Sequence, residues 1–293
     1  MTPTVPAPVI GAIGDLVEDV VCWLAGPPAR GTDTTARIVR RRGGSAANVA
    51  VSICAAGGRA RFFGQVGDDP LGAQLVAELE RAGVEVVVGR AGATGSVVVL
   101  VEPDGERTMF PDRGAAAELR QIDEAAVVSL DALHVTAYSL LVEPIATATR
   151  TAARQAREAG VRLSLDLSSA GSIAAFGLEA FREELLALAP GVVFANAEEA
   201  KLLDLERTSH PWTTLIKHGA HPVVVIDAAG TRCEVPVPAI DAVRDTTGAG
   251  DAFAAGALVA LASGAPMVEA VRAGSAQAAH VLSQLAATYD SVR

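Results

Sequence analysis

The sequence predicts an α/β fold in which a mostly parallel β-sheet is flanked by helices. Three observations predict it. Short runs rich in β-branched residues alternate with Ala-, Glu- and Arg-rich stretches of helical spacing, which is the pattern of repeated βα units. Half of the 293 residues are apolar but only 4% are aromatic, so the core must be built from Ala, Val and Leu, which suits helices covering a parallel sheet. Finally, the small-residue turn Asp245-Thr246-Thr247-Gly248-Ala249-Gly250-Asp251 runs directly into the apolar helical stretch Ala252-Phe253-Ala254-Ala255-Gly256-Ala257-Leu258.

Taken in order, core strands are expected at 9–13, 61–66, 132–136, 162–167, 192–195 and 222–226. Each is bounded by turn residues or leads into a helix, for which 70–82, 144–159 and 197–203 are examples. Such sheets bind ligands beyond the carboxyl ends of their strands, so the site should collect residues from loops scattered along the chain. Two segments break the rhythm and read as hairpins: 17–23 with 34–39, and 95–101 with 107–110, the latter joined by Glu102-Pro103-Asp104-Gly105-Glu106. Asp-Gly between β-rich flanks is a strong hairpin signal. The uncharged run 252–268 contains Gly256, Gly264 and Pro266 and reads as a buried helix rather than a membrane span. A chain of this length with no repeat, low-complexity tract or linker is expected to form one domain over 1–293.

Composition excludes several partners. A formal charge of −10 argues against a nucleic-acid surface and points to a small-molecule partner. The dispersed Cys22, Cys54 and Cys233 read as core thiols in a reducing compartment. The Pro-rich start 1–8 has neither a basic nor an apolar stretch, so no signal peptide, no membrane partner and a cytoplasmic location are expected.

The turn at 248–251 is the strongest chemical signal. Its small residues let backbone approach a ligand, and the first amides of the following helix lack intrahelical acceptors and favour negative charge. Asp251 adds a proton acceptor beside the place where that charge would gather, a pairing that suits phosphoryl transfer. The alternative reading is a loop with a capping Asp.

A second Gly-rich block, Gly43-Gly44-Ser45-Ala46-Ala47-Asn48, runs on through Gly57-Gly58 to Phe62-Phe63-Gly64-Gln65-Val66-Gly67-Asp68-Asp69-Pro70-Leu71-Gly72. Together with the 245–251 turn it resembles the two signature regions of the PfkB (ribokinase-like) family of carbohydrate kinases, in order and spacing over nearly the whole chain. The resemblance implies a ribokinase-like sheet with a small β-sheet lid, built from about residues 15–40 and 94–112, that covers the acceptor and keeps water out. It also implies a homodimer paired through that lid. Without the resemblance, each hairpin is equally an ordinary sheet edge.

Residue by residue, the resemblance implies that Asp251 is the general base and that the amides of Gly248, Ala249 and Gly250 steady the transferring phosphoryl group. A helix N-terminus would favour the ionised form of Asp251. Asp15, Gly43, Gly44 and Asn48 match the positions that hold sugar hydroxyls, with Asp19 a further candidate. Taken singly, Asp15 also fits a strand-end turn and Asn48 a cap for a helix beginning near Ala50. Asn196 and Glu199 of Asn196-Ala197-Glu198-Glu199 match the N-x-x-E pattern that organises Mg²⁺ through water near ATP, although N-x-x-E alone reads as a cap plus a solvated face. Asp245 resembles part of a K⁺-binding loop. The family's glycine loop along the ATP phosphates is assigned to Val225-Ile226-Asp227-Ala228-Ala229-Gly230, with Gly230 retained but Asp227 in place of the first glycine. A carboxylate there would repel a triphosphate unless a metal intervenes, so either the loop has shifted register, Asp227 joins the metal shell, or the chain is a weakened kinase.

Arg40-Arg41-Arg42 reads as a solvated strand end or as an attractor of anions, His218 and His221 as surface residues, and Arg113 as either an acceptor contact or a surface ion pair. The implied acceptor is a small sugar, with a nucleoside as the alternative. A silent sugar- or nucleotide-binding relative is the rival from another class, which Asp227 supports and the intact 248–251 turn opposes. A dinucleotide-binding oxidoreductase fails for want of G-x-G-x-x-G after the first strand.

Overall fold

The computed structural model describes residues 6–207, 209–240 and 246–290, with side chains to residue 284. Among them are two sheets. The larger has nine strands in the order β13-β12-β11-β10-β9-β8-β1-β4-β5. These are β1 (Val9–Ile13), β4 (Arg59–Val66), β5 (Glu85–Arg90), β8 (Ala132–Thr136), β9 (Arg162–Asp166), β10 (Val192–Asn196), β11 (Thr213–His218), β12 (His221–Ile226) and β13 (Arg232–Val235). From β5 across to β11 every neighbouring pair is parallel, whereas β12 and β13 run antiparallel.

Helices cover both faces of this sheet. They are α1 (Ser45–Ala55), α2 (Pro70–Arg81), α3 (Glu124–Val128), α4 (Ile145–Glu158), α5 (Ala170–Phe176), α6 (Leu178–Leu188), α7 (Ala197–Leu203), α8 (Ala249–Ala262) and α9 (Met267–Asp290). Successive strand residues enter opposite cores, as the period of two requires: Phe63, Val193 and Ile216 pack with α4, α6 and α7, and Phe62, Phe194 and Leu215 with α1, α2 and α8. Local chemistry starts the helices. Asp69 caps α2 by accepting from the Gly72 amide at 2.7 Å, with Pro70 in the first turn. Strand β1 lies between β4 and β8, where the strand order reverses, so a crevice is expected beyond its carboxyl end at Gly14-Asp15.

The helix that carries the 248–251 turn is fixed by close packing. A Cβ on Gly256 would stand 2.8 Å from the Ala273 carbonyl, and one on Gly274 2.6 Å from that of Phe253, so α8 and α9 meet at backbone contact.

The smaller sheet has the order β3-β2-β6-β7, from β2 (Val17–Leu24), β3 (Ala36–Gly43), β6 (Thr94–Val101) and β7 (Arg107–Gly114). Both expected hairpins pair antiparallel, and β2 joins β6 in parallel. Strand β3 ends through Arg40, Arg41 and Arg42, of which Arg40 is exposed, as a solvated strand end would be, and Arg41 and Arg42 are partly buried. Arg40 pairs with Glu18, and Arg41 lies 3.8 Å from Asp19. Strands β5, β11 and β13 lie outside the sequence expectation. No helix of the described residues is long and apolar enough to cross a membrane.

Candidate active site

Asp251 sits in the first turn of α8, three residues beyond Gly248, which takes a left-handed conformation (φ 74°) to start the helix. Two residues of α1 hold its carboxylate across more than 200 positions of sequence. Ser45 Oγ donates to Oδ1 at 2.6 Å, and Asn48 Nδ2 donates to Oδ2 at 3.0 Å. Helix α1 begins at Ser45, so Asn48 lies inside it and is no cap near Ala50. Asn48 Oδ1 in turn accepts from Arg42 Nη1 at 2.8 Å.

Burial dominates the electrostatics of Asp251. Loss of solvent pushes the Asp251 carboxyl up to about 6, against the hydrogen bonds from Ser45 and Asn48, with Asp166 raising it and Lys217 lowering it. The helix-terminus effect expected from sequence is therefore outweighed. Asp251 is still mostly ionised at neutral pH, and it is a stronger base than an ordinary aspartate.

The amides before it divide unequally. That of Ala249 donates to the Thr246 carbonyl at 3.1 Å and is spent within the turn. Those of Gly250 and Asp251 have no hydrogen bond among the described residues and are the donors left for an anion.

Beside them stands a group absent from the sequence reading. Lys217, near the end of β11, donates to Asp166 Oδ2 at 2.9 Å, and its Nζ lies 3.3 Å from where a Cβ on Gly250 would be. Burial alone would lower the lysine, but Asp166, Glu199 and Asp251 outweigh it and hold the ammonium above its usual range. A cleft of about 400 Å³ opens here, lined by Asn196, Ala197, Glu198, Lys217, His218, Gly219 and His221. Both histidines line this cleft; His221 is exposed, as a surface residue would be, and His218 is partly buried. The signal that could have located this wall is the run Thr213-Thr214-Leu215-Ile216 leading into Lys217-His218-Gly219.

Asn196 and Glu199 form a capping box on α7. The Glu199 amide donates to Asn196 Oδ1 at 2.9 Å, while Glu199 accepts from the Asn196 amide at 2.7 Å and from its Nδ2 at 2.9 Å. The capping Glu is buried at 2% exposure rather than solvated. Burial, then Asp166, raises it to about 7. With both oxygens engaged, Glu199 suits a magnesium ion only through that ion's water shell, while the exposed Glu198 faces the cleft itself. No group of three or more His, Cys, Asp or Glu among the described residues could hold a metal directly. Asp245 lies outside the described residues.

On the other side of Asp251, Asp15 follows β1. Both its oxygens accept from Arg113, Oδ2 from Nε at 2.8 Å and Oδ1 from Nη2 at 2.7 Å, and Arg113 Nη1 donates to the Tyr138 carbonyl at 3.0 Å. Arg113 is thus half of a partly buried, bidentate pair rather than a surface one. Gly43 and Gly44 are needed for packing: a Cβ would fall 2.1 Å from Asp19 Oδ1 or from the Asp15 carbonyl. Asp15, Gly43, Gly44, Asn48 and Asp251 are therefore one cluster.

Gly230 does not join it. Strand β12 is antiparallel to β11 and pairs Ile226 with Thr214, about 10 Å behind Lys217 at strand rise, which carries 227–230 farther still, to the opposite edge of the sheet. Asp227 is a turn residue there, accepting from the amides of Ala229 at 2.9 Å and Thr231 at 2.8 Å. The carboxylate expected to repel a triphosphate is not in the cleft.

The model of the pfkB family carbohydrate kinases matches residues 7–292. The chain is 35% identical over 225 residues to an ATP-dependent ribose-1-phosphate kinase from Halopiger xanaduensis, which covers 73% of this chain and 71% of that one. It is 31% identical over 271 residues to a fructokinase from Klebsiella pneumoniae, covering 87% and 84%. Among solved structures, adenosine kinase from Sinorhizobium meliloti superposes with a TM-score of 0.83 at 25% identity, over 95% of this chain and 94% of that one.

Proposed function

The chain belongs to the pfkB family of carbohydrate kinases and is a phosphotransferase; from that premise we propose that it moves the γ-phosphoryl group of ATP to a hydroxyl of a small sugar, with Asp251 as general base. The observation that carries this reading is the convergence, on the first turn of α8, of an oriented carboxylate, two open amides and the Lys217 ammonium. Asp251 takes the acceptor's proton as its oxygen bonds to the γ-phosphorus and the bond to ADP breaks. The amides of Gly250 and Asp251 and the Lys217 ammonium meet the charge on the transferring oxygens. ATP is the donor named for the Halopiger relative, and the cleft along Asn196, Lys217 and Gly219 is the place for its phosphates. Bound Mg²⁺ would neutralise phosphate charge, held through water by Glu198 and Glu199.

Asp15, with its arginine partner, and the backbone at Gly43 and Gly44 form the acceptor side. The four-stranded sheet above is read as the lid. Arg107 Nη1 reaches from β7 to Thr247 Oγ1 at 2.7 Å and ties that sheet to the transfer turn. Ile38, Met109 and Phe110, at 60%, 59% and 54% exposure on its outer strands, support pairing of two copies through this sheet.

A nucleoside acceptor is the second reading, favoured by the likeness to the Sinorhizobium adenosine kinase. The test is ATP consumption with Mg²⁺, with and without K⁺, against pentoses, hexoses, sugar phosphates, sugar acids and nucleosides. Acceptor-dependent turnover names the substrate. Ligand binding with silence across the panel overturns the kinase reading in favour of a silent relative. Loss of rate without K⁺ tests the cation loop expected at Asp245.

A further inference from the structure

Asn48 has one acceptor and one donor end, and both are engaged. Its Oδ1 takes a hydrogen bond from Arg42 Nη1 at 2.8 Å, and its Nδ2 gives one to Asp251 Oδ2 at 3.0 Å. A side-chain amide can rotate by half a turn with little change in shape, which exchanges its donor and acceptor ends. A guanidinium is donor-only and permanently charged, so it accepts one of these orientations and rejects the other.

We propose that Arg42 is a positioning residue for the base: by donating to Asn48 Oδ1 it locks the amide so that Nδ2 faces Asp251, which aims the carboxylate and favours its ionised form. The proposal rests on Asp251 being the base, and it assigns Asn48 to the base rather than to the acceptor alone. Without Arg42 the flipped amide turns Oδ1 toward the carboxylate, and two acceptors facing each other drive Asp251 toward its protonated form.

The placement of Arg42 fits a dedicated role. Burial lowers its pKa, an unfavourable setting for a cation on a strand whose neighbour Arg40 is largely open to solvent. It is offset by the nearby carboxylates of Glu78 on α2, Asp251 on α8 and Asp19 on β2. Besides Arg42, the charged and titratable groups that act on or with Asp251 are Asp166 on β9, Lys217 on β11 and the Tyr138 phenol after β8. None of these touches Asn48 Oδ1 among the described contacts.

The test is the pH dependence of kcat/KM, with the acceptor found active, for Arg42→Met, Arg42→Lys, Asn48→Leu and the double variant Arg42→Met/Asn48→Leu. Arg42→Met should move the acid limb upward by about one pH unit, which lowers kcat/KM about twofold at pH 7 and about tenfold at pH 5, leaving the KM for ATP unchanged. Arg42→Lys should restore most of the profile. In the Asn48→Leu background Arg42→Met should add nothing, because its effect passes through that amide. An acid limb that stays in place in Arg42→Met, or effects that add in the double variant, would overturn the proposal. Should Arg42→Met fail to fold, Arg42→Gln decides: its amide can face Asn48 with either end and so no longer fixes one orientation, which predicts an acid limb raised part of the way, and an unmoved limb would overturn the proposal. Undiminished turnover in folded Asp251→Asn would instead overturn the base assignment beneath it.

Discussion

The hairpin chain of β11, β12 and β13 carries two short turns of similar composition, and they meet opposite fates. His218-Gly219-Ala220-His221 joins β11 to β12, with Gly219 at φ 63°, and forms a wall of the cleft beside Lys217. Asp227-Ala228-Ala229-Gly230 joins β12 to β13, with Gly230 at φ 82°, and closes on itself through the Asp227 carboxylate. Turn chemistry alone does not separate them. What does is strand direction: β11 is parallel to the sheet and delivers its turn to the carboxyl edge, where Asp15, Asn196 and Asp251 also arrive, while antiparallel β12 delivers its turn to the other edge. In a fold of this class the position of a glycine turn in the sheet decides whether it lines the cleft.

Four changes would break or sharpen that contrast. The largest effect is expected for Asp251→Asn, which keeps the size of the side chain but removes the proton acceptor. Its kcat should fall by about a thousandfold or more in a protein that melts cooperatively, as followed by a coupled ADP assay and circular dichroism. Next is Lys217→Met at the carboxyl-edge turn, which removes the cation at Gly250 and leaves Asp166 unpaired. It should cost about a hundredfold in kcat/KM for ATP, and an unaltered steady-state value would remove Lys217 from the site.

The third concerns pH. The proposed base must be ionised to act, and burial lifts the Asp251 pKa to about 6, so kcat/KM should be flat above pH 7 and fall about tenfold for each unit below 6. A carboxylate at the ordinary 3.8 would keep the rate level down to pH 5, and a profile of that shape would contradict the buried setting. The smallest effect belongs to the far turn. Asp227→Gly should leave kcat and the KM for ATP within about twofold, since surface substitutions away from packed features change little. A marked gain in ATP affinity would mean that Asp227 does oppose the triphosphate.

Much of the molecule is legible in its sequence, for physical reasons that also mark the limits. The buried parallel strands β1 and β10 stand out because both faces are apolar, β8 and β9 because one face is, through Leu133 and Val135 and through Leu163 and Leu165, and the 102–106 turn declares its hairpin through Asp-Gly. Strand β11 escapes because Thr213, Thr214 and Lys217 dilute its apolar pattern, and with it the cleft wall at Lys217-His218-Gly219 escapes as well. The 43–48 and 245–251 blocks read as site elements since small residues before a helix have a definite chemistry. That Asn48 and Ser45 grip Asp251 is a contact between positions some 200 residues apart, which no local pattern encodes. Nor can a local pattern tell that Arg42 turns inward where Arg40 remains largely open to solvent.

The most direct test of the account is a crystal structure of the protein with Mg²⁺ and a non-hydrolysable ATP analogue. The account predicts the triphosphate along Lys217 and Gly219, its terminal phosphate at the amides of Gly250 and Asp251. Phosphates bound instead along the 227–230 turn, with the Lys217 cleft empty, would contradict it.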